Sequence, residues 1–345
     1  MKVILSIDGG GIRGIVPAAI LDYIERKIQE IQGDNRIRIG NLMDLVAGTS
    51  TGSIVGSLML LPSDTSPWAK YTMKEIVDLY FSLGQVVFKP DFKHNIKTIW
   101  GLIGPKFPAS NIENPLLLQY EHYKLKDLVR PCLFTGYDID KRVVNVYTNM
   151  DIDHKYAEYY VKDIVRGSTA IPSYFPPAYF KEGIDVNTIV DGGVFAGNPS
   201  MMAYIEAFKT IFGQADNVAE LNPNQVLLIS MGTGFAPRTK YTYNEAKRWG
   251  KAQWLSPILN VMTSAVTDIT DYEMSMVFKS VLRSDNYKRI NPPLTHSVQP
   301  STDASKENMT NLLKDAKDYI ENNKEYLNLI AHEICDLHYL IRIEE

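Results

Sequence analysis

Two strand–glycine turn–helix units follow one another within the first sixty residues, and this repetition constrains the fold more than any other feature. The first unit runs from the β-branched stretch "KVILSI" through "DGGGIRG" into an amphipathic helical pattern. The second runs from "NLMDLVAG" through a serine-containing turn into "TGSIVGSLMLL". Strands that alternate with helices over such short distances are typical of an α/β sheet with buried parallel strands.

The rest of the chain predicts further strands and a helical end. "CLFTGYDI" and "RVVNVYT" are predicted strands, "VKDIVRGSTAI" is a predicted helix, and "NTIVDGGV" and "QVLLISMGTG" are strands that end in glycines. Residues 62–112 contain many turn signals around one helix, which predicts an insertion or lid. We expect one compact body, with a catalytic part over 1–235 and a helical part over 236–345 packed on it.

Composition excludes several classes of protein. The chain is 45% hydrophobic and 22% charged, with a net charge of −4, so it has no basic excess for binding nucleic acid. Its two cysteines, Cys132 and Cys335, cannot form a disulfide framework. The start of the chain shows no signal-peptide core, and no apolar run is long enough to span a bilayer. We therefore expect a cytoplasmic protein.

The second glycine turn contains a candidate nucleophile. "GTSTG" places Ser50 between Gly48 and Gly52 in the pattern G-x-S-x-G, with a predicted strand before it and a predicted helix after it. On such a sharp turn the serine backbone is strained, and side chains two residues away on either side would clash. The alternative is a serine that only caps the helix, since Ser and Thr are good N-caps. The strand and helix on the correct sides favour the nucleophile.

A serine hydroxyl needs a base that accepts its proton. None of the six histidines follows a predicted strand directly; they are His94, His122, His154, His296, His332 and His338. Asp191, in contrast, lies at the end of the predicted strand "NTIVD" and is followed directly by Gly192 and Gly193, which let the backbone turn sharply. An Asx turn that merely ends a strand is the alternative for "DGG" alone. The presence of Ser50 elsewhere favours Asp191 as the base.

The first glycine turn has two interpretations. Gly9, Gly11 and Gly14 satisfy G-x-G-x-x-G, which is typical of a dinucleotide-binding turn in an oxidoreductase. However, the second strand does not end in the acidic residue that would bind the ribose. Asp8 would also lie close to a pyrophosphate, which is unfavourable unless its carboxylate is turned away. We therefore predict that the N–H groups of Gly9, Gly10 and Gly11 bind the oxyanion that forms when Ser50 attacks a carbonyl.

Taken together and in this order, the motifs resemble those of the patatin-like phospholipases. They are "DGGGIRG", "GTSTG", "GSTAIPSYFPP", "DGG" and "ISMGTG", and they cover roughly residues 1–235. The resemblance implies a three-layer α/β/α fold with a central, mostly parallel sheet and extra C-terminal helices. It also implies lipid acyl hydrolysis, of the phospholipase A or lysophospholipase type, by a Ser–Asp dyad without a metal or cofactor.

The resemblance assigns roles to individual residues. It implies that Ser50 is the nucleophile that forms an acyl-enzyme, that Asp191 is the general base, and that Gly9–Gly11 form the oxyanion hole. Arg13 and Gly14 would support the glycine loop or contact a lipid headgroup, and "PSYFPP" would support the site from behind. Because an ordinary aspartate is a weak base at neutral pH, we also expect burial to raise the pKa of Asp191.

Two surface segments allow more than one interpretation. Residues 86–107 mix aromatic and basic side chains, which suits contact with lipid headgroups, although a packed insertion with solvated lysines explains them equally well. These side chains are Phe88, Phe92, Trp100, Phe107, Lys89, Lys93, Lys97 and Lys106. Asp151, Asp153 and His154 lie close together in "MDIDHK", but solvated turn residues are a better explanation than a metal site.

A second functional hypothesis is a phospholipase effector that stays latent until a cyclic nucleotide or a partner protein binds. The helical C-terminal part would then hold the activator, with Tyr319, Tyr326, Arg283 and Lys288 as candidate contacts. The expected partners are thus an acyl lipid at a membrane surface and, under this hypothesis, a small nucleotide activator. Assembly into a homo-oligomer is a further open prediction.

Overall fold

Both predicted units are present in the computed structural model. Strand β1 (Lys2–Ile7) leads through a 3-10 turn into helix α1 (Ile15–Gln32), and strand β2 (Leu45–Gly48) leads directly into α2 (Thr51–Leu58). The second strand is shorter than predicted because residues 39–42 form a 3-10 turn held by Glu25, whose carboxylate accepts the Ile39 N–H at 2.9 Å. The structure describes residues 1–91, 94, 97–98, 103–150, 155–208, 223–235, 240–297 and 300–344.

Six more strands and eight more helices follow within those ranges. In chain order they are α3 (Met73–Val87), α4 (Ser110–Tyr120), β3 (Cys132–Asp138), β4 (Val143–Thr148), α5 (Val161–Ser168), β5 (Ala178–Glu182), β6 (Asp185–Asp191), α6 (Ser200–Ala207), β7 (Val226–Met231), α7 (Tyr243–Ala246), α8 (Lys251–Ser280), β8 (Tyr287–Ile290), α9 (Lys306–Asn322) and α10 (Lys324–Glu344).

The strands form one mixed, mostly parallel sheet in the order β5-β6-β3-β2-β1-β7-β8, with β4 paired to β3. Strands β3, β2, β1, β7 and β8 are mutually parallel, whereas β4, β5 and β6 pair antiparallel. Alternate side chains of β1 enter two different cores: Val3 and Leu5 pack towards α1, while Ile4 packs towards α6 and α8. Helices therefore cover both faces, and the predicted three-layer α/β/α fold is confirmed.

The pairing of β3 brings two chain turns together. On one edge, β3 pairs with β4; on the other, its first part pairs with β2 and its later part, from Gly136, pairs with β6. Strand β2 runs parallel to β3 and ends with Gly48 opposite Phe134. Strand β6 runs antiparallel to β3 and ends with Asp191 opposite Gly136. As a result, Asp191 lies at the carboxyl edge of the parallel strands, although its own strand is antiparallel.

The C-terminal part is not purely helical, which corrects the sequence prediction. It supplies β8, which pairs in parallel with β7, before α9 and α10 pack on α1. The predicted helical end contains α9 and α10, which are divided at Asn323, whose side-chain amide donates to the Tyr319 carbonyl at 2.8 Å. Strands β5 and β8 and helices α4 and α6 were not predicted. The domain boundary near residue 235 stays a prediction.

The described aromatic side chains of residues 86–107 point inward. Phe88 and Phe107 pack against Phe175, with ring centroids 6.1 Å and 5.5 Å from it respectively, and Phe107 is 3% exposed. These contacts favour the packed insertion over an interfacial segment for this part of the chain. Six other residues of the candidate surface segments lie outside the described residues; they are Phe92, Lys93, Trp100, Asp151, Asp153 and His154.

Candidate active site

Ser50 occupies a strained turn between β2 and α2. Its φ of 55° and ψ of −122° lie in a region that non-glycine residues rarely adopt. A Cβ on Gly48 would lie 2.3 Å from the carbonyl oxygen of Gly52, and a Cβ on Gly52 would lie 2.1 Å from that of Ile7. The two glycines of "GTSTG" are therefore required sterically, because only residues without side chains let α2 begin so close to β1 and β2.

The structure brings Ser50 and Asp191 into direct contact. Ser50 Oγ donates to Asp191 Oδ2 at 2.6 Å, and the two residues are only 4% and 5% exposed. The other carboxylate oxygen, Oδ1, accepts the N–H of Gly193 at 2.7 Å. The backbone N–H of Ser50 donates to Ser168 Oγ at 3.0 Å, which fixes the turn from the side of α5. The candidate nucleophile therefore faces a carboxylate.

Gly192 and the environment of Asp191 define the candidate base. A Cβ on Gly192 would lie 2.0 Å from Thr135 Oγ1, so the chain can turn beside β3 only with a glycine there. Burial raises the pKa of Asp191 to about 7, while the hydrogen bonds from Ser50 and Gly193 oppose this by stabilising the carboxylate. A carboxylate with such a pKa exchanges protons readily near neutrality.

The glycine loop offers two backbone donors beside Ser50. The N–H of Gly9 donates to the Gly197 carbonyl at 2.9 Å, and that of Ile12 donates to the Ser301 carbonyl at 2.8 Å. Within the described ranges, the N–H groups of Gly10 and Gly11 have no acceptor. Of the three predicted oxyanion donors, Gly9 is therefore occupied, and Gly10 and Gly11 are available.

Close packing explains why this loop is made of glycine. A Cβ on Gly9 would lie 3.3 Å from Ser50 Cβ, so the loop lies against the candidate nucleophile. A Cβ on Gly10 would lie 2.2 Å from Thr233 Oγ1, in the glycine-rich turn after β7. Gly11 has a φ of 58°, and its Cβ would lie 2.3 Å from the Ser301 carbonyl oxygen. The turn after β7 and the C-terminal part therefore hold the loop in place.

Asp8, which precedes the glycine loop, is neutralised by Arg289. The guanidinium of Arg289 donates to both carboxylate oxygens of Asp8, at 3.0 Å and 2.6 Å, and also to Ser230 Oγ at 2.8 Å. The repulsion that the sequence analysis expects between Asp8 and a pyrophosphate is therefore weakened, because the charge is paired. No local signal could have indicated a partner 281 positions away.

Arg13 and Gly14 lie in the 3-10 turn that joins the loop to α1. Arg13 is half-buried, and burial lowers the pKa of its guanidinium. A Cβ on Gly14 would lie 2.3 Å from Thr51 Oγ1 and 2.4 Å from the Tyr80 hydroxyl. Gly14 therefore allows close contact between this turn and α2. The role predicted for Arg13 stays a prediction.

An apolar cavity opens beside Ser50 and Gly11. It has a volume of about 80 Å³ and lies between α2, α3 and α4. Its apolar lining includes Ile54, Leu83, Val87, Leu116, Ile171 and Phe175. Clefts with an apolar lining of this kind bind apolar ligands. The candidate nucleophile thus lies at the polar end of an apolar pocket.

The C-terminal residues proposed for nucleotide binding are engaged in other contacts. Lys288 is 4% exposed, and its Nζ pairs with Glu333 at 3.0 Å and lies 5.9 Å from the Tyr326 ring centre. Arg283 Nε donates to Asn224 Oδ1 at 2.9 Å. These contacts give Lys288, Tyr326 and Arg283 a structural role, and nucleotide binding stays a prediction.

Comparison with known proteins gives the family. The model of the patatin-like phospholipases matches residues 5–204. A potato protein described as probable inactive patatin-3-Kuras 1 is 31% identical, over 97% of this chain and 90% of its own length. Patatin-like protein 2 of Arabidopsis thaliana is 29% identical, over 99% and 90% respectively. The crystal structure of VipD from Legionella pneumophila is 13% identical and covers 92% of this chain and 67% of that chain, but its TM-score of 0.31 supports no argument.

The chain therefore belongs to the patatin-like phospholipase family, a family of lipid acyl hydrolases. This membership confirms the resemblance of the motifs and replaces the dinucleotide-binding interpretation of the first glycine turn. Within the ranges described above, every helix is too short or too polar to cross a bilayer. Because one relative is described as probably inactive, the activity of this chain has to be argued from its own residues.

Proposed function

We propose that this protein hydrolyses fatty-acyl esters of lipids, as a phospholipase A or lysophospholipase, through a Ser50–Asp191 dyad and an acyl-enzyme. The observation that supports this most strongly is the 2.6 Å hydrogen bond from Ser50 Oγ to a buried carboxylate whose pKa is raised to about 7. The loop that packs on Ser50 has two N–H groups without an acceptor among the described residues, those of Gly10 and Gly11, and Gly11 and Ser50 line the same apolar cavity. The combination supplies a nucleophile, a base, an oxyanion site and an acyl-chain site.

In the acylation step, Asp191 Oδ2 accepts the Ser50 proton as Oγ attacks the ester carbonyl carbon. The negative charge that develops on the carbonyl oxygen is stabilised by the N–H groups of Gly10 and Gly11; a single oxyanion donor is typically worth about 3 kcal/mol. The C–O bond to the alcohol then breaks, and the alcohol leaves with the proton that Asp191 returns. The acyl group remains as an ester of Ser50.

In the deacylation step, Asp191 accepts a proton from a water molecule that attacks the acyl-enzyme carbonyl. The same two N–H groups stabilise the second oxyanion. The bond to Ser50 Oγ breaks, the serine regains its proton from Asp191, and the fatty acid is released. Because the base acts in both steps, its pKa governs the rate of the whole cycle.

The cavity supports a long acyl chain rather than a polar acyl group as the substrate. Its walls carry aliphatic and aromatic side chains from Ile54 to Phe175, and it begins at the nucleophile. An apolar chain buried there gains roughly 25 cal/mol per Å² of surface removed from water. We therefore expect activity to increase as the acyl chain lengthens, until the chain fills the cavity.

Fatty-acid release from mixed phospholipid vesicles tests the proposal. We expect release by the wild type, and loss of at least 100-fold with Ser50→Ala or Asp191→Asn, since general-base catalysis is typically worth about 10²–10⁴-fold. Ser6→Ala and Asp185→Asn are matched controls: the hydroxyl of Ser6 is buried with no hydrogen-bond partner in the described part of the chain, and Asp185 begins the strand that ends at Asp191.

Full activity in Ser50→Ala would overturn the proposed mechanism. A folded wild type that releases no fatty acid would overturn the proposal of constitutive activity, and addition of cyclic nucleotides would then test the latent effector. No contact among the described residues favours that alternative, so it stays a prediction of the sequence.

A further inference from the structure

Helix α8 exposes an apolar face that the catalytic core does not use. Seven large apolar side chains of this helix are 38–63% exposed. This set, the apolar stripe of α8, comprises Trp254, Ile258, Val261, Met262, Ile269, Tyr272 and Met276. With about 100° between successive residues, all seven fall within an arc of roughly 100° over six turns of helix. Exposed apolar surfaces of this extent mark binding sites.

The opposite side of α8 anchors it to the protein. Thr270, Met274 and Phe278 are buried, and two of them pack in the core on the α6 side of the sheet. They follow one another at intervals of four residues and all lie in the second half of the helix. Across the described side chains of the first half, from Lys251 to Ile269, none is buried. The helix is thus fixed at one end and presents its apolar stripe to the outside.

The exposed half lies at the same edge of the sheet as Ser50. Strand β8 begins at the amino edge of the sheet and follows closely after α8 ends. The C-terminal end of α8 therefore lies at the amino edge, and the helix runs towards it from the carboxyl edge. A Cβ on Gly197 would lie 2.7 Å from Thr267 Oγ1, and the Gly197 carbonyl binds the N–H of Gly9. Helix α8 therefore passes the glycine loop near Thr267. Its preceding residues extend past that edge by roughly 1.5 Å each.

The segment before the stripe combines positive charge with aromatic rings. Residues 240–254 contain four basic side chains and one acidic one, in a chain whose net charge is −4. The ring of Trp249 packs on Tyr241 and on Trp254, with centroids 5.3 Å and 5.1 Å apart. Lys247 and Arg248 are exposed. Basic side chains and amphipathic rings are the groups that bind at the headgroup level of anionic membranes.

We propose that residues 240–251 and the apolar stripe of α8 form a docking element that binds the surface of anionic phospholipid membranes. The basic and aromatic residues contact the headgroups, and the stripe enters the acyl boundary, as in amphipathic interfacial helices. The element seats the carboxyl edge of the sheet, and with it Ser50, against the lipid. Its use in catalysis rests on the acyl hydrolysis proposed above, whereas the binding itself does not.

Vesicle sedimentation tests the binding without catalysis, with every variant built on Ser50→Ala. We expect binding to vesicles of equal parts phosphatidylcholine and phosphatidylglycerol. Ile258→Asp combined with Met262→Asp should weaken the partition coefficient at least ten-fold. Asn260→Asp is the control for position: it adds one negative charge, where the double variant adds two, on the opposite side of the same exposed turn, and it should bind normally. Lys247→Gln and Arg248→Gln should each weaken binding about five-fold on these vesicles and leave binding to pure phosphatidylcholine unchanged.

Equal binding by the double variant and by Asn260→Asp would overturn the docking element. So would a wild type that is dimeric in light scattering while the double variant is monomeric, because the stripe would then be covered by a second copy. Hydrolysis of a soluble short-chain ester separates this proposal from the previous one. The double variant in the active background should keep that activity, whereas failure of the proposed function would abolish it in the wild type without affecting vesicle binding.

Discussion

The raised pKa of Asp191 makes a quantitative prediction about the pH dependence of activity. The candidate base is competent only as the carboxylate, and its pKa is about 7. The carboxylate fraction is then about 1% at pH 5, about 9% at pH 6 and about 90% at pH 8, so kcat/KM should increase about 90-fold from pH 5 to pH 8. An aspartate with the ordinary pKa of 3.8 would be almost fully ionised at pH 5 already, and activity would hardly change.

The assay is hydrolysis of a soluble p-nitrophenyl ester at substrate concentrations well below KM, which reports the pKa of the free enzyme. Absorbance is read at the isosbestic wavelength, because nitrophenol itself ionises in this range. Ser50→Ala gives the background rate, and Asp185→Asn should reproduce the wild-type profile. A kcat/KM that stays constant from about pH 5 to pH 8 would refute the argument that burial of Asp191 sets the activity.

Three further variants test stability and packing. Asp191→Asn should stabilise the fold at alkaline pH. The carboxyl of Asp191 keeps its proton up to about pH 7 in the native state but loses it near 3.8 in the unfolded state, so the stability of the wild type decreases between these pH values. The gain in unfolding free energy, measured by urea denaturation, should be near zero at pH 4 and up to about 4 kcal/mol at pH 8. Gly52→Ala should lower the unfolding free energy by about 1–3 kcal/mol through its 2.1 Å clash, whereas Gly250→Ala, with its nearest contact at 3.4 Å, should not. Arg289→Leu should cost about 3–5 kcal/mol, more at pH 8 than at pH 5, because it leaves Asp8 buried and unpaired; an equal loss at both pH values would contradict this.

Most of the fold could be predicted because its signals are local. The strand–glycine–helix units have apolar runs, turn glycines and helical periodicity within short windows, and the family motifs lie on those turns. Strand β5 was missed because only Ala178 among its five residues is buried, so its sequence "AYFKE" lacks the apolar run of the central strands. Strand β8, "YKRI", contains two basic residues whose charges are paired by Asp8 and Glu333, and those partners are distant in sequence.

The candidate site was predicted as a set of residues but not as a geometry. The sequence indicated Ser50 and Asp191, yet the antiparallel course of β6 along β3 brings them together, and pairing of strands so distant in the chain has no local signal. The same limit applies to Gly9. Its N–H is occupied by Gly197, six residues after Asp191, so only the three-dimensional structure distinguishes it from Gly10 and Gly11.

Covalent labelling with a fluorophosphonate tests most directly the claim that Asp191 activates Ser50 as a nucleophile. The reagent loses fluoride as a serine oxygen bonds to its phosphorus, and peptide mass spectrometry locates the adduct. We predict labelling of the peptide that contains Ser50 in the wild type and in Ser6→Ala, no labelling of Ser50→Ala, and labelling slowed at least 100-fold in Asp191→Asn. Adduct on another serine, or equal rates in the wild type and Asp191→Asn, would contradict the account.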